Sequence, residues 1–319
     1  MKKKRKNDFI QLAVLVLLGL SVILSIILPQ VTRQPKEPQI LSVSILIRDT
    51  DSSLWTNTRL GMDQAADELG AELRFLTLTT PDDAAEQGEL LRREMENGAD
   101  AAVIVPADPD AIASVLSSSA EVCPIVSMES PVEGASGTIF ADPVQLGTEL
   151  AQALLADWTS GRVLLLDSGG GVNHSITARL EAARSVLEDA GVPVAERACQ
   201  SAGLSTGLHS LLAETGSQWV MAFDAPATLQ AAEGKELEQL SVPLYGVGSP
   251  VEIITRLEQG TISAVATWSD YAAGYLAVEH AVSVARGKDR ATAPLSFSIL
   301  RGEDIYEPNN QKMLFPVAS

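Results

Sequence analysis

The sequence is poor in cysteine, histidine, aromatic residues and positive charge. Only two cysteines occur in 319 residues, Cys123 and Cys199. They fall in different lobes of the expected fold, so a disulfide between them is disfavoured and free, buried thiols are expected. The three histidines, His174, His209 and His280, share no metal-ligand spacing, which argues against a zinc or iron site, and no cofactor is expected. Aromatic residues make up 4% of the chain, so each one near a loop is a candidate for a specific role. Basic residues number 23 against 41 acidic, a formal net charge of −18. The first 38 residues hold seven of the 23 and two of the 41, leaving a net of −23 on the remainder. Such a body repels phosphate backbones, which argues against a nucleic-acid partner; the acidity itself reads as solubility. Against these shortages stand 46% apolar and 20% charged residues, enough for a sizeable core and against disorder.

The amino terminus has its own pattern. Lys2, Lys3, Lys4, Arg5 and Lys6 form a basic cluster, and residues 9–28 follow without a formal charge. Twenty residues at about 1.5 Å each reach roughly 30 Å, the hydrocarbon thickness of a bilayer. The cluster should stay cytoplasmic, which places the rest of the chain outside. The run ends in Leu28-Pro29-Gln30-Val31-Thr32-Arg33 with no good small-x-small cleavage site and no cysteine after it. An uncleaved single-pass signal anchor is favoured over a cleaved leader, and a lipid-anchored form is not expected. Residues 34–39, with Pro35 and Pro38, read as a short extended tether.

The body is organised around residues 41–70. An apolar, β-branched run at 41–47 is followed by a polar loop at 48–53, Trp55, and an amphipathic helix closed by Gly70. This reads as a buried strand, a loop and a glycine-capped helix. The unit then recurs. Strands are expected at 73–78, 101–105, 124–128, 137–140, 162–166, 192–198, 218–223, 242–247, 261–267 and 295–300, with helices between them. Continuous apolar strands alternating with helices indicate parallel sheets covered on both faces. Their number fits two modest sheets better than one, and with no Pro/Gly/Ser linker between halves the chain is expected to cross between lobes more than once.

Several pieces in this order resemble the type I periplasmic solute-binding proteins of the ribose/galactose kind, related to the core of LacI-type regulators. They are Leu60-Gly61-Met62-Asp63-Gln64-Ala65-Ala66 with Leu69-Gly70, and Gly98-Ala99-Asp100 leading into 101–106. Pro124-Ile125-Val126-Ser127, Asp142 with Gly147, Arg179, Tyr245-Gly246-Val247 and Gly274 complete the set. The resemblance covers about residues 41–301 and is carried by order and spacing. It implies an α/β fold of two Rossmann-like lobes with parallel sheets joined by hinge strands, here preceded by one transmembrane helix. Mapped onto the chain, residues 1–38 are tip, anchor and tether, and residues 39–319 the binding domain. The first lobe is expected at about 40–142 and 269–294, the second at about 143–268 and 295–319.

The resemblance also implies an interlobe ligand site. Arg48, Ser52 and Trp55 stand where relatives place polar groups and a stacking aromatic; Trp55 reads either as that platform or as core packing at the helix start. The family's acid–arginine pair becomes Glu129-Ser130, and its arginine after the glycine turn aligns with Thr177, with Asn173 and His174 just upstream and within reach. Its later asparagine becomes Asp224, its aspartate Gly248, and its hinge glutamine Trp268; an asparagine expected after the third strand is Val105. Several ribose contacts are therefore absent. Glu129 and Asp224, with few cationic partners in view, favour a neutral polyol or a cationic ligand over an acidic one, and loss of ligand binding is a further reading. Catalysis finds no support. The G-x-S-x-G match at 203–207 lacks the tight strand-to-helix turn of a nucleophile elbow, and the glycines at 169–171 lack a following Gly-Lys-Ser/Thr.

The expectation is a membrane-anchored binding protein, not an enzyme. It would hold a small sugar-like solute and deliver it to an ABC permease, or report occupancy to a sensor histidine kinase. A LacI-type repressor is disfavoured because its DNA-binding helices would occupy the segment that here reads as membrane anchor.

Overall fold

Two parallel-stranded sheets, each covered by helices, make up the body of the computed structural model, which describes residues 40–51, 55–119, 123–168, 173–199, 207–288 and 294–315, and Leu18. The chain divides into two units, Met1–Ile40 and Leu41–Ser319, and both sheets belong to the second. Among the described residues no helix is long and apolar enough to cross a membrane. The expected anchor at 9–28 lies outside them, Leu18 apart.

The first sheet contains β1 (Leu41–Leu46), β2 (Ala71–Leu76), β3 (Ala101–Ile104), β4 (Ile125–Met128) and β5 (Gly137–Ile139), in the order β2-β1-β3-β4-β5. The second contains β6 (Arg162–Asp167), β7 (Val194–Ala198), β8 (Ser217–Ala222), β9 (Leu244–Val247), β10 (Ala264–Trp268) and β11 (Phe297–Leu300), in the order β11-β10-β9-β8-β6-β7. With β6 in the place of β1, the two sheets share one doubly wound topology. All pairs are parallel except β10–β11. An antiparallel edge strand on a parallel sheet is common, and here it follows from the chain returning from the other lobe to reach the edge. The central strands are buried on both faces: Val43, Ile45, Val103, Val126, Leu164, Leu165, Val220 and Val265 have no exposed surface.

The helices are α1 (Thr56–Leu69), α2 (Ala84–Glu96), α3 (Pro109–Ser118), α4 (Pro143–Asp157), α5 (His174–Asp189), α6 (Leu208–Thr215), α7 (Ala225–Leu237), α8 (Val251–Glu258), α9 (Asp270–Ala285) and α10 (Pro308–Leu314). Short polar side chains set their starts. Asp142 accepts the N–H groups of Val144 and Gln145 ahead of α4, and Asp108 those of Asp110 and Ala111 ahead of α3. Helix α9 packs on α1 and on the first sheet, although it follows β10 of the second. Helix α4 packs on α5 and the second sheet, although it follows β5 of the first. The chain thus crosses three times, at 140–142, at 268–270 and after α9, where the Leu295 N–H bonds to the Phe140 carbonyl at 2.8 Å and Ala141 pairs with Leu295.

One buried side chain fixes the loop that follows β3. Gln87 on α2 has no exposed surface; its Nε2 donates to the Val105 carbonyl and its Oε1 accepts from the Ala107 N–H, both at 2.8 Å. Gln87→Leu leaves both backbone groups buried without a partner, at about 1–3 kcal/mol apiece. We expect it to lower stability by about 2 kcal/mol in urea denaturation, and a change near zero would show that the loop finds other partners.

Candidate functional site

Loops at the carboxyl ends of strands from both sheets converge on one cavity, of about 80 Å³, room for a handful of water-sized groups. This is where doubly wound sheets hold ligands. Arg48, Asp49 and Trp55 reach it from the loop after β1, Glu129 from the end of β4, and Asp224 from the end of β8. Gly248 and Ser249 follow β9, Trp268 ends β10, Asp270 opens α9, and Arg179 comes from α5. A smaller recess shares Trp55, Glu129, Arg179, Trp268 and Asp270 and continues to Phe140, Ala141 and Leu295, at the crossings between the lobes.

The first lobe's charges are tightly coupled. Arg48 Nη2 lies 3.1 Å from Glu129 and its Nε 3.7 Å from Asp82. Burial works against the Arg48 charge, but Glu129 and Asp82 outweigh it and hold the guanidinium above its usual range. Glu129 has a φ of 63°, a left-handed backbone uncommon outside glycine, asparagine and aspartate. Such conformations collect at ligand sites, where the surroundings enforce them. The Trp55 indole N–H donates to Asp49 at 2.8 Å while the ring packs on the first core and lines the cavity.

In the second lobe Asp224 is buried and caps α7, accepting the Ala227 N–H at 2.8 Å and the Ser168 N–H at 2.8 Å. Arg179 is 5% exposed. Its Nη1 donates to the Phe223 carbonyl at 3.1 Å, and its guanidinium carbon sits 5.6 Å from the Trp268 ring centroid. Burial lowers its pKa, opposed by Glu129 and Asp224. Asp270 accepts from Ser249 Oγ at 2.6 Å, and burial pushes its carboxyl up to about 6.

Direct bonds tie the lobes together beside the cavity. Ser130 Oγ donates to Asn173 Oδ1 at 2.9 Å, and Ser175 Oγ to the Glu129 carbonyl at 2.6 Å.

Of the residues expected from sequence, Arg48, Trp55, Glu129, Asp224 and Trp268 meet at this cavity. Ser52 lies outside the described residues, as do 203–206 of the G-x-S-x-G match and the glycines at 169–171. Asn173 and His174 are not among the cavity walls. Asn173 is buried, caps α5 and receives Ser130; exposed His174 faces Asp110 at 3.5 Å. Thr177 is exposed, and the arginine on α5 that reaches the cavity is Arg179, two residues on. The expectation of few cationic partners for Glu129 and Asp224 is also corrected: Arg48 pairs with Glu129, and Arg179 bears on both. Asp49, Thr58, Ser249 and Asp270 also line the cavity, and sequence reasoning missed them. Asp270 carried a usable signal, a carboxylate opening the helix directly after a strand-end tryptophan. Both cysteines are free, with burial raising Cys123 to about 11 and Cys199 to about 12.

A two-lobed α/β fold with the cavity between its lobes defines a cleft-binding protein. Residues 43–289 match the family model described as "Periplasmic binding protein domain", and the chain belongs to that family, one of binding proteins and not of enzymes. A search of the curated proteins finds no match. Among solved structures, a carbohydrate transporter solute-binding protein from Agrobacterium radiobacter in complex with D-arabinose is similar at TM-score 0.80 and 19% identity, over 86% of this chain and 99% of that one. A solute-binding protein from Agrobacterium vitis bound to α-D-tagatopyranose is similar at 0.77 and 18%, over 87% and 100%. One from Bacillus halodurans with bound myo-inositol is similar at 0.73 and 18%, over 87% and 99%. These likenesses extend over the type I periplasmic binding fold of the body.

Proposed function

We propose that this protein is an extracytoplasmic solute-binding protein that holds a small sugar or polyol in the interlobe cleft and delivers it to an ABC permease. The observation that carries this reading is the cavity wall itself: Trp55 and Trp268, with Arg48, Glu129, Asp224 and Arg179 around them. An indole covers the apolar C–H face of a sugar ring while charged groups bind its rim of hydroxyls. The solved relatives bound to D-arabinose, tagatose and myo-inositol support the same class of ligand. In this reading the lobes, 40–142 with 269–294 and 143–268 with 295–319, close on the ligand about the three crossings, and the apolar run at 9–28 anchors the chain in the membrane.

That anchor favours a second reading, in which the same binding event is reported to a sensor histidine kinase. A sensor benefits from a fixed transmembrane contact more than a delivery protein does. Crosslinking in membranes, with and without ligand, separates the two by recovering a permease or a kinase.

The first test is a thermal-shift screen of the full chain against pentoses, hexoses, polyols, nucleosides and amines. Binding to the folded state adds RT ln(1 + [L]/Kd), about 2.7 kcal/mol at a hundredfold excess over Kd. One ligand class should raise Tm clearly, and Trp268→Ala should weaken its binding at least about tenfold, since it removes a stacking surface and an Asp270 partner together. A folded protein that shifts with nothing across the panel would sink the proposal.

A further inference from the structure

The cavity is unbalanced in charge around one carboxylate. Its walls carry Arg48 and Arg179 against Asp49, Glu129, Asp224 and Asp270. Three of the four acids are provided for. Glu129 pairs with Arg48, Asp224 holds two backbone N–H groups and lies within electrostatic reach of both arginines, and Asp49 takes the Trp55 indole and lies within electrostatic reach of Arg48. Asp270 is different. Its hydrogen bonds come from neutral donors, Ser249 Oγ at 2.6 Å and the Trp268 side chain. Burial is the larger influence on its proton affinity, and the charged neighbour that bears on it is Glu129, of its own sign. A carboxylate offers about four lone-pair positions. Two neutral donors leave Asp270 both acceptor capacity and charge to spare, and the N-terminus of α9 supplies only a partial positive charge.

A second observation points to a ligand at the same place. Arg179 lines this cavity, is 5% exposed, and its Nε has no hydrogen-bond partner among the described residues. The same wall therefore carries an unfilled donor, on a buried atom of Arg179, and an under-compensated acceptor, on Asp270.

We propose that the cleft selects a polyhydroxylated ligand bearing an ammonium group, an amino sugar or amino polyol, with the ammonium on Asp270 and a ligand oxygen on Arg179 Nε. This rests on the sugar-binding reading and narrows its ligand class. A hydroxyl could donate to Asp270, but an ammonium both donates and supplies the missing counter-charge, and ionised pairs make roughly twice as strong a hydrogen bond as neutral ones. A carboxylate or phosphate on the ligand would instead meet Asp270 and Glu129.

The test is calorimetric titration of the full chain with probe pairs that differ in one group: D-glucosamine and D-glucose, D-galactosamine and D-galactose, 1-amino-1-deoxy-D-sorbitol and D-sorbitol. At pH 7 the amine should bind about tenfold or more tighter in at least one pair. Asp270→Asn should bring that pair to within about threefold. A second readout needs no variant. The charged groups around Asp270 are Glu129, Arg48, Asp49, Arg179 and Asp224, and burial raises the Asp270 carboxyl to about 6. Amine affinity should therefore be full above that value and fall between pH 7 and pH 5, as Asp270 takes a proton, while the neutral member holds steady. Equal or tighter binding of the neutral member in every pair overturns the ammonium assignment and leaves the sugar-binding reading standing. An amine preference that survives Asp270→Asn, with no fall at low pH, overturns the role of Asp270. Binding by none of the six, nor by any neutral sugar in the wider panel, removes both readings.

Discussion

Arg179→Met should lower the stability of the protein by about 3 kcal/mol and abolish binding at the cleft. Methionine matches much of the volume of the side chain and none of its charge. Arg179 is 5% exposed, and its guanidinium donates to the Phe223 carbonyl at 3.1 Å and lies over the Trp268 ring. Its removal leaves a buried carbonyl without that donor and takes a positive charge away from Glu129 and Asp224. Breaking a buried charge cluster by deleting one member typically destabilises by about 3–5 kcal/mol. The lower end applies here, because Glu129 keeps Arg48 and Asp224 keeps its two backbone donors. Arg179→Lys restores the charge without the planar fork and should recover part of the stability and little of the binding. Urea denaturation and ligand titration of both variants check this. A loss below about 1 kcal/mol for Arg179→Met would mean that the buried guanidinium is nearly balanced by its own desolvation.

The elements themselves were legible because period and punctuation agreed. Gly70 ends α1 in the left-handed region, φ 65°, with its N–H on the Ala66 carbonyl, as a glycine after the last apolar turn predicts. The central strands ran apolar and lie where expected, mostly shortened by one to three residues, whereas the edge strands β2 and β7 carry exposed charged residues and β2 starts two residues before its expected range. The stretch 261–263 read as strand but is a bend that leads into β10, where the Ser263 N–H already reaches the Leu244 carbonyl of β9. Helix α10 was not anticipated, being about two turns that start at Pro308. The cleft was legible in part. Strand ends put Arg48, Glu129, Asp224 and Trp268 in the right place, since position after a strand needs no side-chain geometry. Counting along a helix was less secure. Thr177 and Arg179 are two residues apart, about 200° around the axis, so a step of two along the helix exchanges the exposed face for the buried one. The apolar stripe Ile176, Leu180, Ala183 and Leu187 places Arg179 on the buried side, and that periodicity was the better guide. What a sequence could not convey was pairing: that Arg48 answers Glu129, that Asn173 is occupied by Ser130, and that no cation among the described residues pairs with Asp270.

Gly274→Val should unfold or grossly destabilise the body, by more than about 3 kcal/mol, and Gly147→Val should do the same from the other lobe. A Cβ at Gly274 would stand 2.0 Å from the Thr58 carbonyl oxygen, and one at Gly61 would stand 1.9 Å from that of Tyr271. The two glycines are reciprocal, each letting α1 and α9 approach at one point. At Gly147 a Cβ would stand 2.1 Å from the Arg179 carbonyl oxygen, where α4 meets α5. In all three cases the obstacle is backbone, so no rotamer change relieves it and the helices must part. Overpacking that side chains can absorb costs about 1–3 kcal/mol, and one that separates two helices should exceed that range. The effect also reaches the cleft, because α9 begins at Asp270 and α5 carries Arg179. Gly147→Ala, the milder change, should therefore weaken ligand binding along with stability, whereas Gln87→Leu, on a helix that contributes no cavity residue, should lower stability with binding nearly intact. Equal losses of binding in the two variants would mean that affinity follows overall stability. A loss confined to Gly147→Ala would mean that the close approach of α4 and α5 holds Arg179 in position.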